Sequence, residues 1–126
     1  MKIVAGVDWS DEAFAAVEQI SLLYKPDEVT LVHGVDMGVF QYPIVAQTAN
    51  LQGYDEFRRA LLDAGREATA RCRTLLPEHI PSVRTLCELH NPASFILDTA
   101  NAAHADLVVV GTHDHSRVTE VFTGSV

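Results

Sequence analysis

The run Leu-Val-Val-Val at residues 107–110, closed by Gly111, most constrains what this chain can fold into. A short apolar run with no polar alternation is the pattern of a strand covered on both faces, and such strands belong to parallel sheets flanked by helices. Three other stretches read as strands: residues 2–8 (KIVAGVD), apolar and β-branched up to an acid, Glu28–Val35 (EVTLVHGV) and Ser82–Leu89 (SVRTLCEL). Parallel neighbours need a crossover, so the sequence between the strands must supply helices.

It does so with recognisable punctuation. Ser10 is a good helix N-cap, and Asp11 and Glu12 suit the positive end of a helix. Ala13, Ala16, Val17, Ile20, Leu23 and Tyr24 then recur at helical spacing, until Lys25-Pro26-Asp27 stops them. Residues 54–76 predict a long second helix with Phe57, Ala60, Leu61, Ala64, Ala68, Cys72 and Leu75 on its inner stripe. Its outer face holds Arg58, Arg59, Arg66, Arg71 and Arg73, which reads as a solvated face laced by Asp55–Arg59, Asp63–Arg66 and Glu67–Arg71 pairs. Asn91-Pro92 opens a third helix running to His104, with Ala93, Ile96, Leu97, Ala100 and Ala103 inward. Residues 36–53 show no period, and so long a stretch in a compact domain predicts a partly ordered flap over a site or partner.

The alternation predicts an α/β fold: one doubly wound parallel sheet with helices on both faces, as a single domain over residues 1–126. Composition narrows the function classes. Nine Lys and Arg against seventeen Asp and Glu give a net charge of −8, which argues against nucleic acid or an anionic membrane as partner. No apolar run approaches the roughly 20 residues of a membrane span. The leading apolar run is too short for a signal peptide. Cys72 and Cys87 lack metal spacing and read as buried reduced thiols, so the expected compartment is the cytoplasm.

Open α/β sheets bind ligands beyond the carboxyl ends of their strands. Asp8 ends the first strand, where an acid is placed to meet a ribose hydroxyl or to cap the turn that follows. Gly111 ends the fourth strand, and Gly124-Ser125 offers backbone N–H groups without bulk, as a phosphate requires.

The spacing from Gly111 to Ser125 resembles the nucleotide loop of the universal stress protein family: Gly, two residues, Gly, nine residues, then Gly followed by Ser or Thr. Gly111, Gly124 and Ser125 match, and the middle glycine is replaced by Asp114. MKIVAGVDWSDEAFAAVEQI, VTLVHGVD and NPASFILDTANAAHADLVVVGTH are similar to the family's opening strand and helix, second strand, and third helix with fourth strand. The resemblance spans essentially the whole chain and implies a Rossmann-like fold of the adenine nucleotide α hydrolase-like kind. It also implies a regulatory module of the stress response, cytoplasmic and homodimeric, that binds ATP or AMP, with Mg2+ as a companion ion, and hydrolyses ATP slowly at most. Gly6, Val7 and Asp8, with Gly34 and Val35, would frame base and ribose. Gly111, His113, Asp114, Gly124, Ser125 and Val126 would hold phosphates. Gly6 and Gly34 replace bulkier residues common at those places.

Asp114 weighs against triphosphates. Two like unit charges about 4 Å apart at an effective dielectric near 20 repel by about 4 kcal/mol, roughly three decades of affinity. A divalent ion, or His113, His115 or Arg117, would offset that. Family members continue past the Gly-Ser-Val with a helix and a fifth strand. A chain ending at Val126 therefore predicts a domain lacking both, with an open edge beside the fourth strand.

Rival chemistries are poorly supported. His113-Asp114-His115 has no third ligand at metal spacing, and no Gly-x-Ser-x-Gly elbow, Walker loop or dinucleotide fingerprint occurs. His33, His79, His90 and His104 read as structural or surface residues. The alternative to a nucleotide module is a nucleotide-free dimeric interaction protein of the same fold with a degraded loop.

Overall fold

A computed structural model describes residues 1–37, 51–111 and 119–123. The elements run β1 (Lys2–Gly6), α1 (Asp11–Leu23), β2 (Glu28–Val35), α2 (Leu51–Thr74), β3 (Ser82–Leu89), α3 (Pro92–Ala103), β4 (Leu107–Gly111) and β5 (Thr119–Thr123). They build one sheet in the order β3-β2-β1-β4-β5. β1 pairs in parallel with β2 on one side and β4 on the other, and β2 pairs in parallel with β3.

The expected four parallel strands are therefore present, but the expected open edge beside β4 is not. β5 lies antiparallel to β4, from Leu107 opposite Thr123 to Gly111 opposite Thr119. Its sequence, TEVFT, is β-branched and aromatic at the densities strands favour. An antiparallel return needs only a short connection, whereas a parallel fifth strand would need a crossover helix.

Strand alternation sorts the core onto two faces. Ile3 and Ala5 of β1 and Val7 just past it, with Val29 and Leu31 of β2, meet Ala16, Val17 and Ile20 of α1, Cys72 of α2 and Leu76 just beyond that helix. Val4 and Val32 turn the other way, onto Phe95 of α3. α1 starts as its cap predicts, with the Ser10 side chain accepting the Ala13 N–H at 3.1 Å.

α2 begins at Leu51, three residues before the predicted start, and 38–50 of the expected flap lie outside the described residues. Its inner stripe is shorter than predicted. Phe57 is 43% exposed and Ala60 is also exposed, and burial is carried instead by Gly65, Ala68, Thr69 and Cys72, with Leu76 buried just past the helix. Gly65 earns its place by contact: a Cβ there would sit 2.4 Å from the His33 ring and 2.7 Å from the Cys87 sulfur. On the outer face Asp63–Arg66 forms at 3.1 Å, whereas Asp55 meets Arg58 at 3.8 Å rather than Arg59. Arg71 lies over the Phe14 ring at 5.0 Å.

α3 is shifted about its axis from the predicted face. Phe95 is buried, stacked on His90 at 5.0 Å, while Ala93 is exposed and Leu97 is 59% exposed. His104 closes the helix at φ 52°, a left-handed conformation uncommon outside glycine but better tolerated by His than by most residues.

Candidate functional site

The strand order reverses at β1: β2 and β3 lie to one side of it and β4 to the other, so the crevice between the carboxyl ends of β1 and β4 is the switch point of the sheet. A cleft of about 160 Å³ opens there, lined by Gly6, Val7 and Asp8 from the end of β1, His33 and Gly34 from β2, and Val110 and Gly111 from β4. Ala13 near the start of α1 and Pro92 and Ile96 of α3 complete its walls.

Two of its glycines are required by approach of main chain to main chain. A Cβ on Gly111 would meet the Glu12 carbonyl at 2.6 Å, and one on Gly34 would meet the His90 carbonyl oxygen at 2.8 Å and Pro92 at 2.9 Å. The two helix N-termini are thereby drawn onto the strand ends, with the Asn91 side chain accepting the Ser94 N–H at 3.0 Å as the cap of α3. Gly6 differs in kind, because the atom in its way, Ile96 Cδ1 at 2.4 Å, belongs to a flexible side chain.

Asp8 is half-buried, and its Oδ1 accepts the Ser10 N–H at 2.7 Å and the Ser10 hydroxyl. It thus caps the β1–α1 turn while standing in the cleft. Ser10 is tied in both directions, donating to Asp8 and accepting from Ala13.

Val7 has both main-chain polar groups engaged internally: its N–H donates to the Val32 carbonyl at 2.9 Å, and its carbonyl is 2.7 Å from His33 Nδ1. A carbonyl can only accept, so Nδ1 carries the proton of that bond. His33, read from sequence as structural or surface, is therefore a wall of the cleft and a brace between β1 and β2. Its single signal in the sequence was its place just before Gly34. Val35 is buried, its carbonyl accepting the His90 N–H at 3.1 Å, and Gly34 rather than Val35 faces the cleft. Trp9, next to Asp8, donates from Nε1 to the Ala64 carbonyl at 2.7 Å and packs edge-on against Phe14.

Of the residues singled out from sequence, Gly6, Val7, Asp8, Gly34 and Gly111 converge here from three strands. His113, Asp114, Gly124, Ser125 and Val126 lie outside the described residues. Among the described residues no group of three His, Cys, Asp or Glu side chains could hold a metal ion. Among them, too, no helix is long and apolar enough to cross a membrane.

Residues 1–126 match the universal stress protein family. Among solved structures, the hypothetical protein MJ0577 is similar over 91% of this chain and 76% of its own, with a TM-score of 0.70 and 20% identity. Universal stress protein UspA from Lactobacillus plantarum is similar over 95% and 85%, with a TM-score of 0.60 and 23% identity. Protein Rv1636 from Mycobacterium tuberculosis H37Rv gives a TM-score of 0.52 at 17% identity over 92% and 76%. No curated protein sequence matches the chain.

Proposed function

This chain belongs to the universal stress protein family, and from that premise we propose that it is a cytoplasmic regulatory module that binds an adenine nucleotide, ATP or AMP, rather than turning one over. The reading rests on one observation: Gly6, Val7, Asp8, Gly34 and Gly111, far apart in sequence, line one cleft at the switch point of the sheet. A chamber of about 160 Å³ is below the roughly 300 Å³ at which whole-ligand pockets begin, so it takes the base or the ribose and leaves the phosphates outside. Asp8 is the acceptor for a ribose hydroxyl. Gly111 starts the motif Gly111, Asp114, Gly124, Ser125 that receives the phosphates, with Mg2+ offsetting the charge of Asp114.

A second reading, a nucleotide-free interaction protein, is favoured by two observations. Ile96 reaches into the space beside Gly6, and Asp8 is committed to Ser10. Thermal-shift titrations with ATP and AMP, each with magnesium and with chelator, separate the two. A ligand that binds only the folded state must raise the melting temperature. Trp9, the one tryptophan, reports the same event by fluorescence from beside Asp8. We expect an ATP-dependent shift that needs magnesium, and in Asp114→Gly a shift that persists in chelator. Absence of any shift with either nucleotide, on folded protein, establishes the second reading.

A further inference from the structure

β2 outruns the strand beside it. Its pairing with β3 continues to Val35 opposite Leu89, whereas its pairing with β1 stops at Gly6 opposite Val32. Two bonds fix the phase of its main chain. The Val32 carbonyl accepts the Val7 N–H at 2.9 Å, and the Val35 carbonyl accepts the His90 N–H at 3.1 Å. Main-chain groups alternate between the two edges of a strand, so even-numbered positions of β2 face β1 and odd-numbered positions face β3. Gly34 is therefore the next residue to turn its N–H and C=O toward the β1 side, and it does so where it lines the cleft.

In a parallel ladder a residue donates to one residue of its neighbour and accepts from the residue two further on. Val7, having donated to Val32, is placed to accept from the Gly34 N–H. Among the described residues no such main-chain bond forms. The Val7 carbonyl takes the proton of His33 Nδ1 at 2.7 Å instead, and the ladder ends one bond early.

The imidazole is held to that task from behind. His33 shares the α2 face of the sheet with Val29 and Leu31. Gly65 of α2 packs on the far edge of its ring, where a Cβ would stand 2.4 Å from Cδ2 and 3.0 Å from Nε2. The main chain of His33 is locked to β3 opposite Cys87. Gly34 is held from the opposite side by the close approach of His90 and Pro92, so its N–H and C=O are fixed in direction.

We infer that His33 is a positioning residue of the cleft: by occupying the Val7 carbonyl it stops the β1–β2 ladder one bond short and keeps the Gly34 N–H free for a ligand. The inference rests on the proposal that part of a nucleotide enters this cleft, and it deepens that proposal by naming what keeps the main chain there able to bind one. Without the imidazole, the Val7 carbonyl needs another donor, and the Gly34 N–H is the one in line. The ladder then closes at the ligand's expense.

The test reads the Gly34 amide by NMR hydrogen exchange in the full chain, for wild type, His33→Leu and His33→Asn. Asparagine offers an amide N–H near the place of Nδ1 and keeps the bond, whereas leucine fills similar space without a donor. In ligand-free wild type the Gly34 amide is expected to exchange about tenfold or more faster than the Val7 amide. In His33→Leu it slows toward the Val7 rate, and ATP binding weakens by about fivefold, one hydrogen bond's worth. His33→Asn follows wild type in both. A variant that merely loosened the fold would speed exchange, so the slowing is a signature that destabilisation does not produce. A Gly34 amide already protected in ligand-free wild type overturns the inference, and that measurement stands even where leucine unfolds the chain. A Gly34 amide that stays open in His33→Leu overturns it too, as does a leucine variant that binds ATP as tightly as wild type. Failure of the nucleotide proposal looks different: the Gly34 amide still opens and closes with the residue at 33, and no nucleotide changes its exchange.

Discussion

On one face of the sheet Ile3, Ala5, Val7, Val29, Leu31, Leu107 and Val109 are sealed against α1 and α2 in one continuous cluster. On the other, Val4 and Val32 form a smaller cluster with Phe95 of α3, with Leu86, Ile96, Ala100 and Ala105 half-buried around them. The unequal faces divide the labour of the molecule. Burial free energy scales with apolar area removed from water, so stability is concentrated on the α1–α2 face. The thin face borders both the strand-end cleft, through Pro92 and Ile96, and a groove along β3.

The sharpest way to break this division is to truncate one leucine on each face. Leu31 is fully buried and Leu86 half-buried. Leu31→Ala should cost about 4 kcal/mol and Leu86→Ala about 1 kcal/mol in urea unfolding, because the first leaves a closed cavity and the second a site that water already reaches. Equal costs would mean that the α3 face is as tightly packed as the other.

A second probe of the thick face uses pH. Burial pushes the Cys72 thiol up to about 11 from its ordinary 9.0, with the charge of Asp8 adding to the rise and Arg71 opposing it. The folded state therefore holds the proton over a range in which the unfolded chain loses it. The resulting stability is fully present below pH 9 and is lost as pH rises toward 11. The expected loss is on the order of 2–3 kcal/mol, absent in Cys72→Ala, whose stability starts lower but stays flat over that range. Cys87, raised by burial to a lesser degree, should be labelled by a thiol reagent before Cys72.

The glycines of the cleft sharpen the contrast at smaller scale. Gly111→Ala drives a methyl into the main chain of α1 and should cost about 2 kcal/mol. Gly6→Ala meets only the end of Ile96, which can rotate away, and should cost less than about 1 kcal/mol while narrowing the cleft. Thermal melts of both variants test this, and a Gly6→Ala as damaging as Gly111→Ala would show that Ile96 is locked.

What the sequence disclosed follows the same split. Strands buried on both faces leave continuous apolar runs, so β1, β2 and β4 were legible, as was α1 with its Ser10 cap. The faces of α2 and α3 were less so. Period 3.6 is satisfied by a stripe through Phe57 and Leu97 as well as by the observed one, and only the tertiary approach of Gly65 to His33 and Cys87, or of Phe95 to His90, chooses between them. β5 was hidden because TEVFT lies inside the stretch whose glycine spacing resembles a phosphate loop. In the cleft, residues carrying a motif (Asp8, Gly111) or flanking one (Gly6, Gly34) could be found. Ala13, Pro92 and Ile96 could not, because apolar walls carry no chemical signature and are defined only by the crossing of chain segments.

The smallest effects separate the two helix caps, one per face. Ser10→Ala removes the acceptor for the Ala13 N–H, and Asn91→Ala the acceptor for the Ser94 N–H. Each should cost about 1 kcal/mol, so stability alone does not tell them apart. Ligand binding does. Ser10 also donates its hydroxyl to Asp8 Oδ1, and losing that donor leaves a carboxylate oxygen with more capacity to accept from a ribose hydroxyl. One hydrogen bond is worth about 1 kcal/mol net, so Ser10→Ala should tighten ATP binding by about threefold to fivefold. Asn91 makes no such contact with Asp8 through its cap, and Asn91→Ala should leave the affinity within about twofold of wild type. Isothermal titration of the two variants reads the difference, and identical affinities would remove Asp8 from the nucleotide contacts and leave it as the cap of α1's turn alone.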